Sequence, residues 1–394
     1  MARAPKLNLV YFDAGGGHRS AAIALQSVLR SLHSDWDVGL VNLQEILDSL
    51  DIFRKITGIR LQDIYNLVLA KGWTLGSAQL LRFLHGVIRI YQPAQVRLLT
   101  TFWEKDRPDM VVSLVPNFNR ALFQSLRRAA PEAPFVTILT DLADYPPHFW
   151  IEKQQQYLIC GTQRAVDQAA ASGYPSSHVF RTSGMILRRE FYEVPVFDTT
   201  RERARLGLDE NLPTGLVLFG GEGSNVMYAI AQRLGNSPLD LQLIMICGRN
   251  SKLQQRLECL QTRNRIFVEG FTKEVPYYMR LADFFIGKPG PGSISEAVQM
   301  RLPVIIERNA WTLPQERFNA EWIEQQGVGL VLRNFRGIES AVRSLLAGNH
   351  LQTMKSKMAA LENRAVFEIP PILQKILDDT PPEPESPATP HCAR

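Results

Sequence analysis

Long apolar runs, paired cysteines and internal repeats are all missing from this sequence. None of its 394 residues belongs to an uninterrupted apolar stretch of eighteen, which excludes a conventional membrane-spanning helix. Cysteine is scarce: Cys160, Cys247, Cys259 and Cys392 are scattered, and no two form a CxxC pair. Neither a disulfide framework nor a zinc ribbon is supported. No period of roughly 20–50 residues recurs, so solenoids and propellers are excluded. Charge of one sign is not in large excess, since 44 Lys and Arg stand against 39 Asp and Glu. A net of +5 suits an anionic partner but is too small to mark a nucleic-acid binder. The opening MARAPKLNLVYFD starts basic, but its apolar run is shorter than a signal h-region and reads as a first strand. The expectation is a cytoplasmic chain, with a membrane surface left open.

What the sequence does contain is a rhythm. Short runs of Val, Ile, Leu and Phe recur, each followed by a helical pattern: KLNLVYFD, DVGLVNL, DMVVSLVP, PFVTILTD, YLICGT and VFRTSG in the first half. TGLVLFGG, LQLIMICG, RIFVEGF, DFFIGKPG and LPVIIER follow in the second. Strands that are apolar throughout belong to parallel sheets covered on both faces. Their alternation with helices predicts two doubly wound, Rossmann-like α/β domains. The predicted boundaries are 1–190 for the first domain, 191–213 for a linker with one short helix, and 214–379 for the second. The Pro-rich 380–394 reads as a disordered tail.

Residues 44–107 interrupt the rhythm with helical patterns and no convincing strand. From 52 to 107 there are nine Lys or Arg against three Asp or Glu, with Phe53, Tyr65, Trp73, Phe83, Tyr91, Phe102 and Trp103. Basic helices carrying aromatics can dock on an anionic bilayer. Equally, they can form a helical cap whose rings face the core.

At YFDAGGGHRSAA a strand ends in glycines and opens a helix whose apolar face is Ala21, Leu25, Val28, Leu29 and Leu32. Gly16 and Gly17 bare the backbone at the edge where open α/β sheets bind ligands. His18 projects from that turn, and an imidazole with an ordinary pKa of about 6.5 suits proton abstraction. Arg19 stands beside it. A histidine that merely packs the turn is the plainer alternative.

The second half carries a longer constellation. FFIGKPGPGSISEA reads as strand, glycine loop and helix, with Ser293 placed to cap the helix and Glu296 one turn in, able to accept from a ribose diol. The exposed N–H groups of such a helix start would hold a diphosphate without a metal. FGGEGSN, from Phe219 to Asn225, reads as a second loop over the phosphates. In PQERFN, the amide and carboxylate groups of Gln315, Glu316 and Asn319 cluster as a sugar ring requires. No DxD-type metal motif stands beside this donor region.

The run from Gly270 to Asn319 resembles the C-terminal signature of GT-B-fold glycosyltransferases that use UDP-sugars. These include the monogalactosyldiacylglycerol synthases, the processive diacylglycerol glucosyltransferases and the N-acetylglucosaminyltransferase of lipid-linked peptidoglycan precursor. DAGGGHRSAA, TDLADYPPHFW and GGEGSN are most similar to the galactolipid branch, and the likeness extends from Leu7 to about Ile376. It implies a GT-B fold, two doubly wound domains facing across a cleft, and inverting transfer of galactose or glucose from a UDP-sugar to diacylglycerol. By the same resemblance, His18 is the base and Gly220, Gly221, Glu222, Gly223 and Ser224 contact the nucleotide. The uracil pocket, largely backbone, falls at Gly270 and Phe271. Gly290, Pro291, Gly292 and Ser293 hold phosphate, Glu296 holds ribose, and Gln315, Glu316 and Asn319 read the sugar. Thr140, Asp141, His148 and Trp150 are cleft residues without assigned roles. No cofactor or essential metal is implied. The implied partners are a UDP-sugar, a lipid acceptor and an anionic membrane surface, with no nucleic acid and peripheral attachment to the cytoplasmic membrane. A polyprenyl-linked acceptor, or a non-hydrolysing UDP-sugar epimerase of the same fold, are the competing readings.

Overall fold

The computed structural model describes residues 3–13, 16–48, 77–145, 147–193, 196–310 and 312–380, with backbone alone over 77–89. Two six-stranded sheets organise the chain. The first holds β1 (Lys6–Tyr11), β2 (Asp37–Asn42), β3 (Met110–Ser113), β4 (Phe135–Ile138), β5 (Tyr157–Cys160) and β6 (Val179–Arg181) in the order β2-β1-β3-β4-β5-β6. The second holds β7 (Thr214–Leu218), β8 (Gln242–Ile246), β9 (Ile266–Glu269), β10 (Phe284–Gly287), β11 (Val304–Glu307) and β12 (Gly329–Leu332) in the order β12-β11-β10-β7-β8-β9. Every neighbouring pair is parallel. All eleven expected strands are present. The twelfth, Gly329–Leu332, went unread because it is a four-residue, half-buried edge strand, too short to stand out from the helix before it.

The apolar runs work as a parallel sheet demands. Leu216, Leu218, Ile244, Ile246 and Phe285 pack on one face of the second sheet, while Val217, Leu243, Met245, Phe284 and Ile286 pack on the other. Neighbouring residues point to opposite faces, and both faces are covered, so no polar alternation appears.

Five helices position the rest: α1 (Gly17–Leu32), α2 (Ser77–Asp106), α3 (Pro291–Gln299), α4 (Arg317–Gln326) and α5 (Ala365–Asp378). The carboxyl-terminal half of α2 is core, not a free surface. Val96, Leu99 and Trp103 are buried with Val10, Val111 and Leu122, and the Trp103 indole donates to Ser125 Oγ at 3.0 Å. Of the rings counted toward a membrane face, Trp103 and the partly buried Phe102 therefore belong to the domain interior. Tyr91 and its neighbour Ile90 are exposed. Phe53, Tyr65, Trp73 and the Phe83 side chain lie outside the described residues, as does the tail from 381. Among the described helices none is long and apolar enough to cross a membrane.

The domain boundaries depart from the expected ones in two places. Leu187, Phe191 and Leu208 are buried in the core of the second domain, so packing recruits much of the expected 191–213 linker. The helix within it, Thr199–Arg205, is capped by Asp198, whose carboxylate accepts from Thr200 N at 3.0 Å and Arg201 N at 3.2 Å. At the far end, α5 leaves the second domain. Its Ile369, Leu373 and Ile376 pack with Leu25 and Leu29 of α1 in the first. The apolar face of α1 is wider than β1 can cover alone, and α5 covers the remainder.

The chain thus crosses between domains twice, and the crossings are bonded together. Asn363 Nδ2 donates to Met185 O at 2.9 Å, Arg364 N donates to Ser183 Oγ at 2.7 Å, and Ser183 N donates to Glu368 Oε2 at 2.7 Å. Asn363 Oδ1 also accepts from Ala365 N at 3.1 Å, starting α5. Asn363→Ala leaves the buried Met185 carbonyl and Ala365 amide without these partners. A destabilisation of about 1–3 kcal/mol is expected in urea titration of the full chain; an unchanged midpoint would show the crossing to be held by packing alone.

Candidate functional site

In each sheet the connections reverse direction at one pair of strands, β1/β3 in the first and β7/β10 in the second. Open α/β sheets bind ligands outside the carboxyl ends of such strands. The residues singled out from sequence collect there.

The first-domain wall begins at Gly16, whose φ of 78° lies in the left-handed region and which opens α1 without a side-chain cap. Gly17 and His18 are the first two helical residues. His18 Nδ1 lies 2.9 Å from Thr140 Oγ1, just past β4, and its ring lies 5.8 Å from the Trp150 ring. Burial pushes the imidazole pKa down to about 4, partly offset by a backbone hydrogen bond at Leu114. The ring is therefore neutral, the form a base requires. Arg19 turns outward to an ion pair with Asp13 at 3.1 Å and does not join this wall.

Behind His18 the wall is rigid. Trp150 is fully buried; its indole donates to Asp141 Oδ2 at 2.8 Å and its backbone N–H to Asp144 Oδ1 at 2.6 Å. Burial raises the Asp141 carboxyl to about 7; the indole hydrogen bond opposes this, while Glu316 and Asp144 add to it. Glu316 belongs to the second domain, so Asp141 senses charge across the gap. His148 serves the turn: it has φ 63°, donates its backbone N–H to Asp144 Oδ2 at 2.9 Å, and sets Nδ1 3.0 Å from Ile151 O. Trp150 and His148 thus shape the wall from behind rather than facing a ligand.

On the second domain, α3 starts at Pro291 with Gly290 as its N-cap. Ser293 does not cap: it is the third helical residue, and its hydroxyl donates back to Gly290 O at 3.3 Å. Pro291 has no N–H, which leaves the amides of Gly292 and Ser293 as the free donors of the first turn. The loop after β7 carries Gly220, Gly221, Glu222, Gly223 and Ser224 opposite them.

Two cations that the sequence reading passed over complete this region. The exposed Lys288 lies between the loops: a methyl group on Gly220 would sit 3.6 Å from its Nζ, and one on Gly290 would sit 3.5 Å from its Cε and 3.8 Å from Glu316 Oε1. The Arg249 guanidinium pairs with Glu222 at 3.0 Å and lies 4.5 Å from the centroid of the exposed Phe271 ring. Lys288 lies within FFIGKPGPGS, where a single lysine among glycines carries no spacing signal of its own. Arg249 follows β8, a strand whose end carried no motif.

Glu296 is partly buried, and no hydrogen bond holds its carboxylate among the described residues; burial raises it to about 7 against the pull of Arg188. Burial raises Glu316 too, against Lys288. Both carboxyl groups are suited to accept from hydroxyls. Gln315 sits beside Glu316 on the turn Pro314–Glu316 leading into α4. Asn319 is fully buried, and its Nδ2 donates to Pro289 O at 2.7 Å, propping the loop before α3. Gly270 is fixed by Glu269, whose Oε1 accepts its N–H at 2.8 Å while Oε2 accepts from Tyr278 OH at 2.5 Å. Among the described residues, no cluster of three or more His, Cys, Asp or Glu side chains is arranged to hold a metal ion.

Residues 216–368 match the glycosyltransferase family 28 C-terminal domain. The chain is 28% identical over 399 aligned residues to monogalactosyldiacylglycerol synthase 1 of Arabidopsis thaliana, covering 93% of this chain and 70% of that protein. To the monogalactosyldiacylglycerol synthase of Spinacia oleracea it is 30% identical over 277 residues, which is 67% of this chain and about half, 52%, of that protein. Both relatives are described as chloroplastic. Among solved structures, MurG of Acinetobacter baumannii superposes with a TM-score of 0.61 at 13% identity, over 94% of this chain and all of that one. The UDP-GlcNAc 2-epimerase of Neisseria meningitidis gives 0.58 at 15%, over 94% and 99%. At such identities these two establish the fold alone.

The β7 loop is shaped by a close approach. Gly248 has φ 59°, and a Cβ on it would lie 2.2 Å from Gly221 O, the same oxygen that accepts Arg249 N–H at 2.8 Å. Gly248→Ala should displace the Gly220–Gly223 loop and weaken UDP binding at least roughly tenfold, about 1.4 kcal/mol by calorimetry. An unchanged Kd would free this loop from the nucleotide.

Proposed function

We propose that this chain, whose residues 216–368 match the glycosyltransferase family 28 C-terminal domain and whose sequence resembles the monogalactosyldiacylglycerol synthases, is a glycosyltransferase that transfers a hexosyl group, galactose or glucose, from a UDP-sugar to the hydroxyl of diacylglycerol with inversion. The observation that carries the reading is the pairing of a neutral, partly buried His18 on one domain with Lys288 and the amide-rich start of α3 on the other.

In this mechanism the diphosphate lies between the Gly220–Ser224 loop and α3, against the Gly292 and Ser293 amides and the Lys288 ammonium. Glu296 accepts from the ribose, and Glu316 with Gln315 accepts from sugar hydroxyls. Phe271 and Arg249 flank the uracil ring. Thr140 engages Nδ1 of His18, which leaves Nε2 for the acceptor. As the lipid hydroxyl attacks, its proton passes to Nε2, its oxygen pair forms the bond to the anomeric carbon, and the bond to UDP breaks with its electrons leaving on the diphosphate. Fixed positive charge at the leaving group acts without solvent reorganisation. Lys288 and the α3 amides take the place a divalent ion would fill, so no metal is required. The diacylglycerol acceptor brings the enzyme to a membrane surface, for which the exposed Ile90 and Tyr91 of α2 are suitable contacts.

His18→Ala and Lys288→Ala should separate chemistry from donor binding. The first should lower kcat at least roughly a hundredfold while UDP affinity holds. The second should weaken UDP roughly tenfold by calorimetry. Near-parental turnover of His18→Ala would remove the base from the scheme.

The substrate assignment is tested by thin-layer analysis with UDP-galactose, UDP-glucose or UDP-N-acetylglucosamine and diacylglycerol in anionic vesicles, with and without EDTA. A galactolipid or glucolipid that forms equally in EDTA is expected. Product from UDP-N-acetylglucosamine alone, or loss of activity in EDTA restored by magnesium, would overturn the donor-sugar or the metal-free assignment respectively.

A further inference from the structure

Two adjacent residues at the end of β4 reach the imidazole by different routes. Thr140 touches it directly, Oγ1 lying 2.9 Å from His18 Nδ1. Asp141 reaches it through an indole: its Oδ2 accepts the Trp150 Nε1–H at 2.8 Å, and the Trp150 ring lies 5.8 Å from the His18 ring, tilted 49°. Trp150 is wholly enclosed, and its backbone N–H is tied to Asp144 Oδ1 at 2.6 Å, so the indole has one position available to it. The carboxylate, indole and imidazole form a chain of neighbours that runs from the domain interior to the gap. Proton transfer to His18 creates an imidazolium in a site whose burial disfavours it, and a buried cation needs a nearby anion.

We propose that Asp141 is a positioning residue for the base: it fixes the Trp150 indole against the imidazole of His18 and supplies the negative charge that offsets the imidazolium formed during transfer. This rests on His18 being the base. Asp141 acts in its ionised form, and its neighbours define when that form is present. Burial, Glu316 from the second domain and Asp144 from its own loop raise its pKa to about 7, while the indole N–H lowers it. His18 titrates lower, near 4, and Glu296, also near 7, lies on the donor side, where its protonation governs affinity for the UDP-sugar. At saturating donor, kcat should therefore rise as pH increases through about 7 and Asp141 loses its proton.

The test uses the full chain, UDP-galactose and diacylglycerol vesicles, and reads kcat against pH together with UDP affinity. Asp141→Asn keeps an oxygen for the indole but removes the charge; kcat on the alkaline plateau should fall roughly tenfold and the inflection should vanish, with UDP affinity retained. Trp150→Phe keeps a ring but removes the N–H that favours the carboxylate, so the inflection should persist and move to higher pH. A merely structural role would lower stability without moving either inflection. If Asp141→Asn does not fold, the direction of the Trp150→Phe shift decides. An inflection that survives Asp141→Asn, or stays in place in Trp150→Phe, overturns the proposal. The two failures are distinct: an active His18→Ala removes the base itself, whereas an inactive His18→Ala beside an unaltered Asp141→Asn profile removes only the support for it.

Discussion

The two halves of the site belong to different domains, and what keeps them on facing edges is the bonded pair of crossings at Ser183–Met185 and Asn363–Arg364. Each parallel sheet gathers its loops at the carboxyl ends of its strands, but a sheet alone cannot aim those loops at another sheet. The crossings do so. Once they are set, the β1 and β4 loops of the first domain face the β7 and β10 loops of the second, and Asp141 registers the charge of Glu316.

Desolvation then sets the chemistry. The same burial that neutralises His18 also drives Asp141, Glu296 and Glu316 toward their protonated forms. A neutral imidazole and carboxyl groups held above their usual range gather at one gap, as groups at functional sites do. Lys288, by contrast, stands exposed between the glycine loops.

Much of this was legible in the residues. Strands apolar throughout announced parallel sheets, and GGGHR and GKPGPGS announced turns at sheet edges, because hydrophobic pattern and glycine content are local signals. What escaped notice was set by tertiary contact. Ser293 is three residues into its helix rather than before it, since Pro291 starts α3 earlier than a serine cap would. Asn319 lies one helical turn from Glu316, yet it supports Pro289 because α4 packs under the phosphate loop. Trp103 belongs to the core, a choice its basic, aromatic surroundings left open. Lys288 and Arg249 gain meaning from loops that only the fold brings beside them. No periodicity showed that α5 belongs to the first domain, because an amphipathic helix does not say which domain it covers.

That last helix has a consequence for how the molecule is made. Ile369, Leu373 and Ile376 finish a core begun by Leu7 and Leu9. Ribosomal synthesis delivers α5 only after every strand of the second sheet. Domains normally mature in order as they emerge. Here the first domain stays incomplete, with part of its α1 face bare, until the second domain has been made, so the later-made domain is enclosed between two stretches of the earlier one.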